Sequence, residues 1–101
     1  MERQQHYTVT VNALDTISPV ITLNGASEVT LTVDGTYDEL GATVTDNYDT
    51  NLTATINASM VNTTVVGSYT VTYDAVDTAG NNAIQVTRTV NVIAALSTPA
   101  L

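Results

Sequence analysis

A chain of 101 residues has room for one domain with a sizeable core, and a hydrophobic fraction of 44% indicates a folded rather than a disordered protein. The net charge of −8 argues against nucleic acid and anionic membrane surfaces as partners, because like charges repel. The absence of cysteine excludes disulfides and thiol chemistry, and no stretch approaches the roughly 20 apolar residues of a membrane span.

The N-terminal segment repeats the end of the chain. At a shift of 79 positions, four residues recur: Thr8, Thr10, Val11 and Asn12 return as Thr87, Thr89, Val90 and Asn91. Self-similarity over one domain length is typical of tandem arrays, whose units usually supply reach rather than chemistry. We therefore predict an N-terminal tail at residues 1–14, a domain at 15–93 and a linker at 94–101. The tail is the last strand of a preceding unit, or extra strand material at the first edge.

Alternation of apolar and polar residues with period two predicts strands along the rest of the chain. The predicted strands cover residues 20–23, 29–33, 42–46, 52–56, 69–75 and 83–92, with one short, irregular strand within 59–66. Turn signals such as Asn24-Gly25 and Asp34-Gly35 separate them at intervals of about ten residues, which favours an all-β sandwich.

The same alternation assigns the two faces of each strand. The residues predicted to point inward are Val29, Leu31, Val33, Ala42, Val44, Leu52, Ala54, Ile56, Tyr69, Val71, Tyr73, Ala75, Val86, Val90 and Val92. Arg88 shares parity with Val86 and Val90 and breaks the pattern. We explain it by a β-bulge, or by an aliphatic stem that carries the charge out to water.

Three stretches together resemble a known family. They are residues 19–25 (PVITLNG), residues 40–47 (LGATVTDN), and residues 67–73 (GSYTVTY) with 77–81 (DTAGN). They resemble the bacterial immunoglobulin-like surface repeats that also occur in some pesticidal crystal proteins, and they are similar to hyaline-repeat domains. The resemblance implies an immunoglobulin-like antiparallel β-sandwich of about seven strands, found in series in exported adhesins and without catalytic activity.

The Gly67-x-Tyr69-x-Val71 pattern is similar to the tyrosine corner of immunoglobulin-like domains, which begins the penultimate strand. In that reading the Tyr69 hydroxyl bonds to backbone a few residues upstream. The alternative is that Tyr69 is an ordinary aromatic strand residue.

Acidic and amide residues cluster in the predicted loops. If two strands end at Asp46 and Asp77, both loops lie at one pole, where Asp15 enters from the linker. Ca²⁺ takes six to eight oxygen ligands, so such a pole could bind it and stiffen an array. The candidate ligands are Asp15, Asp46, Asn47, Asp49, Asp77 and Asn81. The alternative is that Asp and Asn are here ordinary turn residues.

We predict a non-catalytic structural spacer of an exported or cell-surface bacterial protein, an adhesin-like stalk, with neighbouring immunoglobulin-like repeats as its partners. Two alternatives stay open: a module that binds a glycan or protein through loops at one pole of the sandwich, including Tyr48, and a phage virion or decoration protein. An enzyme is the least expected class, because the only histidine, His6, lies in the tail.

The chain begins with a polar segment that lacks an apolar signal core. It is therefore either a piece of a longer exported protein or a small protein that does not use that pathway. We expect a monomer, or a weak dimer paired through an exposed strand edge.

Overall fold

Six β-strands form within residues 14–95, the part of the chain that the computed structural model describes. They are β1 (Val20–Leu23), β2 (Glu28–Thr32), β3 (Ala42–Thr45), β4 (Thr55–Asn57), β5 (Gly67–Asp74) and β6 (Val86–Ile93). Branched Val, Ile and Thr side chains fill most of these positions and favour the extended backbone. The predicted strand of a preceding unit lies outside the described residues, and the boundaries of the domain at 15 and 93 stay a prediction.

The strands form two sheets. One contains β1 and β3, and the other contains β2, β6, β5 and β4 in that order. Side chains of both sheets pack into one core, which confirms the predicted immunoglobulin-like β-sandwich. One pair differs from the antiparallel expectation, because β2 runs parallel to β6. A parallel pair needs a long crossover, and here the whole domain between the two strands provides it.

The chain enters and leaves the sandwich at opposite ends. Val20, the first residue of β1, pairs with Thr45 at one end. Ile93, the last residue of β6, pairs with Thr32 at the other end, where β5 begins. These ends are termed the N-terminal pole (residues 14–19, 46–49 and 77–81) and the C-terminal pole (residues 32–35, 63–66 and 93–95).

The core is small and mostly aliphatic, with one buried tyrosine. Its buried apolar members are Ile21, Val71, Tyr73, Ala75, Val90 and Val92. The residues predicted to point inward are buried or half-buried except Ile56, which is 38% exposed. Ile56 pairs with Tyr73 and shares its face, but β4 is an edge strand and the two-stranded sheet is too narrow to cover it. For Ile56 the predicted burial was therefore wrong.

The seventh predicted strand, within residues 59–66, is replaced by turns. The Asn57 side chain accepts a hydrogen bond from the Ser59 N–H (3.0 Å), and the Asn62 side chain accepts one from the Thr64 N–H (3.1 Å). Such side-chain bonds compete with the ladder of a sheet and hold the backbone in turns. The described part of the chain therefore has six strands rather than seven.

Both explanations proposed for Arg88 were wrong. The ladder between β5 and β6 runs without interruption through the pair Val71–Arg88, so no bulge turns the side chain outward. The side chain is fully buried, so its stem does not carry the charge to water. Arg88 obeys the strand parity and occupies the interior as a cation.

The tyrosine corner is confirmed. Tyr69 donates its hydroxyl hydrogen to the Val65 carbonyl at 2.6 Å, four residues upstream. The Tyr69 hydroxyl lies over Gly67, where a Cβ would be in ordinary van der Waals contact with it at 3.4 Å. The corner fixes the loop of the C-terminal pole to the start of β5.

Candidate metal centre

Asp15 is held where the chain enters the sandwich. Its Oδ1 accepts a hydrogen bond from the Ile17 N–H (3.1 Å), which folds the linker into a tight turn. Its carbonyl accepts one from the Asn81 side chain (2.8 Å), and Pro19 is buried four residues later. The linker is therefore anchored to the N-terminal pole before β1 begins.

Asp46 follows the last residue of β3. Its Oδ2 accepts hydrogen bonds from the N–H groups of Tyr48 (3.2 Å) and Asp49 (3.0 Å). This arrangement is the local side-chain turn that Asp favours after a strand. It occupies one carboxylate oxygen and leaves Oδ1 for another partner.

Asp77 lies in the loop between β5 and β6 and is only 4% exposed. Asn81 donates to both of its carboxylate oxygens, from its backbone at 2.7 Å and from its side chain at 2.8 Å. Burial on its own would raise the pKa of the Asp77 carboxyl, but the hydrogen bonds from Asn81 lower it below its ordinary value. The local bonding therefore favours the charged form.

These three carboxylates converge. Asp15, Asp46 and Asp77 each offer an oxygen within 4.8 Å of the other two. Asp15 Oδ2 and Asp46 Oδ1 are enclosed by protein and accept no hydrogen bond from the described residues. Buried carboxylate oxygens without a partner are costly, and three negative charges this close together repel one another.

The spacing within the cluster is compatible with three carboxylates sharing one cation. Ca²⁺ binds carboxylate oxygens at about 2.3–2.6 Å, so two oxygens on opposite sides of one ion lie roughly 4.6–5.2 Å apart. The three oxygens fall within that limit. A divalent cation held by the three carboxylates would offset their repulsion, and two of these carboxylates have an oxygen, Asp15 Oδ2 and Asp46 Oδ1, free to take it as a partner.

The other predicted ligands lie around this cluster. Asp49 accepts bonds from the backbone (2.7 Å) and hydroxyl (3.0 Å) of Thr78, so both of its oxygens tie two loops together. Asn81 directs its amide nitrogen to Asp77 and to the linker, as a support for both. Asn47 is exposed and lines a neighbouring groove. The structure places all six residues at one pole, and of their four carboxylates those of Asp15, Asp46 and Asp77 converge.

The groove beside the carboxylates has a volume of about 470 Å³. Its lining includes Leu14, Asp15, Ile17, Asn47, Tyr48 and Thr78. Tyr48 is 74% exposed and lies at the rim of this groove. The groove combines apolar walls with a carboxylate from the cluster.

Arg88 is the centre of a second polar group that the sequence did not indicate. Its guanidinium donates to the carbonyls of Ala26, Asn24 and Gly41, and its Nε donates to the Tyr73 hydroxyl at 2.9 Å. The guanidinium carbon also lies 5.6 Å from the centre of the Tyr73 ring, within reach of a cation–π interaction. The cation thus joins β6 to the segment that crosses between the sheets.

The charge of Arg88 is balanced through a tyrosine. Tyr73 donates its hydroxyl hydrogen to Glu39 at 2.6 Å, and Tyr37 donates to the other oxygen of Glu39 at 2.8 Å. Burial would raise the pKa of Glu39, but these bonds, the Gly41 N–H and the charge of Arg88 lower it overall. Burial and the hydrogen bond to Glu39 raise the pKa of Tyr73, so this phenol stays protonated. Hydrogen bonds therefore link the Arg88 cation to the Tyr73 hydroxyl, and that hydroxyl to the Glu39 carboxylate.

No helix among residues 14–95 is long and apolar enough to cross a membrane.

The sequence profile of the family described as bacterial surface protein, Ig-like domain, matches residues 21–92. The crystal structure of the lipoprotein BT2262 from Bacteroides thetaiotaomicron is similar to 81% of this chain, with a TM-score of 0.59 and 20% identity. The chain spans 41% of that protein's length, and the likeness concerns the fold. No curated protein sequence matches the chain.

Proposed function

The chain belongs to the family of bacterial surface protein Ig-like domains, and we propose that it serves as a non-catalytic spacer unit of a tandem array outside the cell. The observation that carries this proposal is that the chain enters at one pole and leaves at the other. Units joined through opposite poles extend a stalk with each added copy. The family match favours this role over the virion alternative.

A two-unit protein tests the spacer role. Residues 1–92 of one copy are joined to residues 14–101 of a second, in the register that the sequence repeat indicates. The eight residues of β5 alone span about 27 Å, so end-to-end units should lengthen the particle by at least that much in small-angle X-ray scattering. A two-unit protein no longer than the single chain would contradict the proposal.

The N-terminal pole has a second role in this proposal, as a Ca²⁺ site formed by Asp15, Asp46 and Asp77. Two enclosed oxygens without a partner and three carboxylates within 4.8 Å of one another support it. Asp15 belongs to the linker, whereas Asp46 and Asp77 belong to the sandwich. An ion held by all three would therefore fix the angle at which the linker enters the domain.

Thermal unfolding of the full chain in Ca²⁺ and in chelator tests the site. With a Kd of roughly 10⁻⁴ M, in the range of extracellular modules, about 2 mM Ca²⁺ stabilises the folded state by about 1.8 kcal/mol. For a domain of this size, that corresponds to a rise in Tm of roughly 7–14 °C. Identical curves in Ca²⁺ and in chelator would exclude the site.

Two matched variants separate binding from general charge effects. Asp46→Asn removes one proposed ligand and should abolish the response of Tm to Ca²⁺. Asp38→Asn removes the same charge from an exposed position away from the pole and should retain the full response. An equal response in both variants would show that the ion acts through net charge rather than at the cluster.

A glycan-binding module is the second candidate function. The observation that favours it is the exposed ring of Tyr48 on a groove of about 470 Å³, since exposed aromatic rings can stack on sugars. A glycan array probed with and without Ca²⁺ tests it, with Tyr48→Ser as the control. Binding that survives the Tyr48→Ser change, or no binding at all, would exclude recognition through this groove.

A further inference from the structure

The N-terminal pole exposes an apolar rim around its groove. Leu14 is 83% exposed and Ile17 is 56% exposed, and together with Tyr48 they border the groove. Large apolar side chains exposed side by side are a common mark of an interaction surface. This rim lies directly beside the point at which the linker enters the domain.

The C-terminal pole exposes a second apolar patch. Val65 and Val66 are 52% and 55% exposed, and Ile93 beside them is 48% exposed. Tyr69 anchors this loop through its bond to the Val65 carbonyl, so the patch has a defined position. One domain therefore presents an apolar surface at each end.

The sequence repeat indicates what covers the rim. At the shift of 79 positions, Leu14 is the counterpart of Ile93, the last residue of β6. The last strand of a preceding unit would thus end at the rim of the groove. The C-terminal pole of that unit would then face the groove. Because the two units would be joined by so short a segment, each pole would meet the other at an effective concentration in the millimolar range. That concentration is enough for a small interface between the units to stay formed.

We infer that the groove at the N-terminal pole binds the C-terminal pole of the preceding Ig-like unit, with that unit's counterparts of Val65 and Val66 against Tyr48 and Ile17. This inference rests on the proposed array. It adds a specific contact between units, which would make the stalk stiff rather than freely hinged.

Disulfide trapping in the two-unit protein tests the contact, because the chain contains no cysteine of its own. Val66→Cys in the first unit is combined with Tyr48→Cys in the second. A disulfide requires Cα atoms within about 7 Å, so it forms readily only where the poles meet. A second pair, Val65→Cys with Tyr48→Cys, covers a small shift in how the poles seat.

The control pair combines Thr70→Cys in the first unit with the same Tyr48→Cys in the second. Thr70 is exposed in the middle of β5 and is reached only by random motion of the tether. We expect at least one pole pair to oxidise about tenfold faster than this control, given the geometry that a disulfide demands. Pole pairs no faster than the control would overturn the inference.

Scattering on the same protein separates the two proposals. An elongated particle without preferential trapping would overturn the seat and leave the spacer role intact. A particle that does not lengthen would overturn the spacer role itself.

Discussion

Replacing Arg88 with methionine would remove the cation that joins the two sheets while keeping most of the side-chain volume. The guanidinium donates to three carbonyls and to Tyr73. Two of these acceptors keep another bond after the change, because Gly41 O still accepts the Asn24 N–H (3.0 Å) and Tyr73 still donates to Glu39. The carbonyls of Asn24 and Ala26 lose the partner that Arg88 gave them.

The expected loss in the free energy of unfolding follows from these two carbonyls. A buried acceptor left without a partner costs about 1–3 kcal/mol, so the gross loss is about 2–6 kcal/mol. Removing a desolvated charge offsets part of that loss, and water can reach the crossing segment because residues 24 and 26 are exposed. We expect Arg88→Met to lower the free energy of unfolding by about 2–3 kcal/mol, a large share of the 5–15 kcal/mol typical of a domain.

Urea unfolding of the full chain, followed by circular dichroism, measures this change. Thr87→Met is the matched control, because Thr87 is the exposed neighbour on the same strand, and it should change stability by no more than about 0.5 kcal/mol. If Arg88→Met were as stable as the original chain or more stable, the reasoning would be refuted. The desolvation penalty of the buried guanidinium would then equal or exceed the stabilisation that its hydrogen bonds provide.

Three further changes address single contacts. Tyr69→Phe removes the bond to Val65 and should lower the free energy of unfolding in urea by about 1 kcal/mol. Gly25→Ala should lower it by about 1–2 kcal/mol, because Gly25 has φ of +80°, a conformation that L side chains rarely adopt. A Cβ there would also lie 2.5 Å from a terminal methyl of Leu40, which is exposed enough to move aside. The pKa of Glu39 is lowered by its bonds, so stability should fall as the pH drops below about 4.5. Glu39→Gln should make this loss of stability smaller in thermal unfolding measured from pH 7 to pH 3. The groups that face Glu39 are Tyr37, Tyr73 and Arg88.

Each of these changes has a matched control. Tyr48→Phe alters an exposed ring and should be neutral, so equal losses for both tyrosines would argue against the corner. Gly80→Ala imposes a similar backbone change at φ of +95° in open space, which isolates strain from the contact with Leu40. Asp38→Asn should keep the acid-dependent loss of stability. An unchanged acid profile for Glu39→Gln would mean that other carboxyls dominate it.

Local sequence patterns predicted most of the strands, because each strand depends on the alternation of residues within its own segment. The alternation in β2, β3, β5 and β6 reflects a period of two that any half-buried strand must show. Gly67 with Tyr69 predicted the tyrosine corner, because that contact joins residues close in the chain. The strand expected within residues 59–66 is absent for an equally local reason, since the Asn57 and Asn62 side chains accept hydrogen bonds from the N–H groups two residues further on and form turns.

The six residues at the N-terminal pole were predictable only as a group. Strand direction brings the loops after β3 and β5 to one end, and that follows from the order of strands. Which oxygens meet depends on side-chain bonds between those loops. Thr78 occupies Asp49, whereas Asp15 and Asp46 each keep an oxygen without a partner.

The sequence by itself therefore determined the class of fold, the faces of the strands and the pole at which the acids gather. Tertiary structure alone decided the role of Arg88. Its acceptors at residues 24, 26 and 41 are distant in the chain and are backbone carbonyls, which every residue carries and no sequence pattern marks. A cation can be buried only where such acceptors converge, and that convergence exists only after the two sheets have packed together.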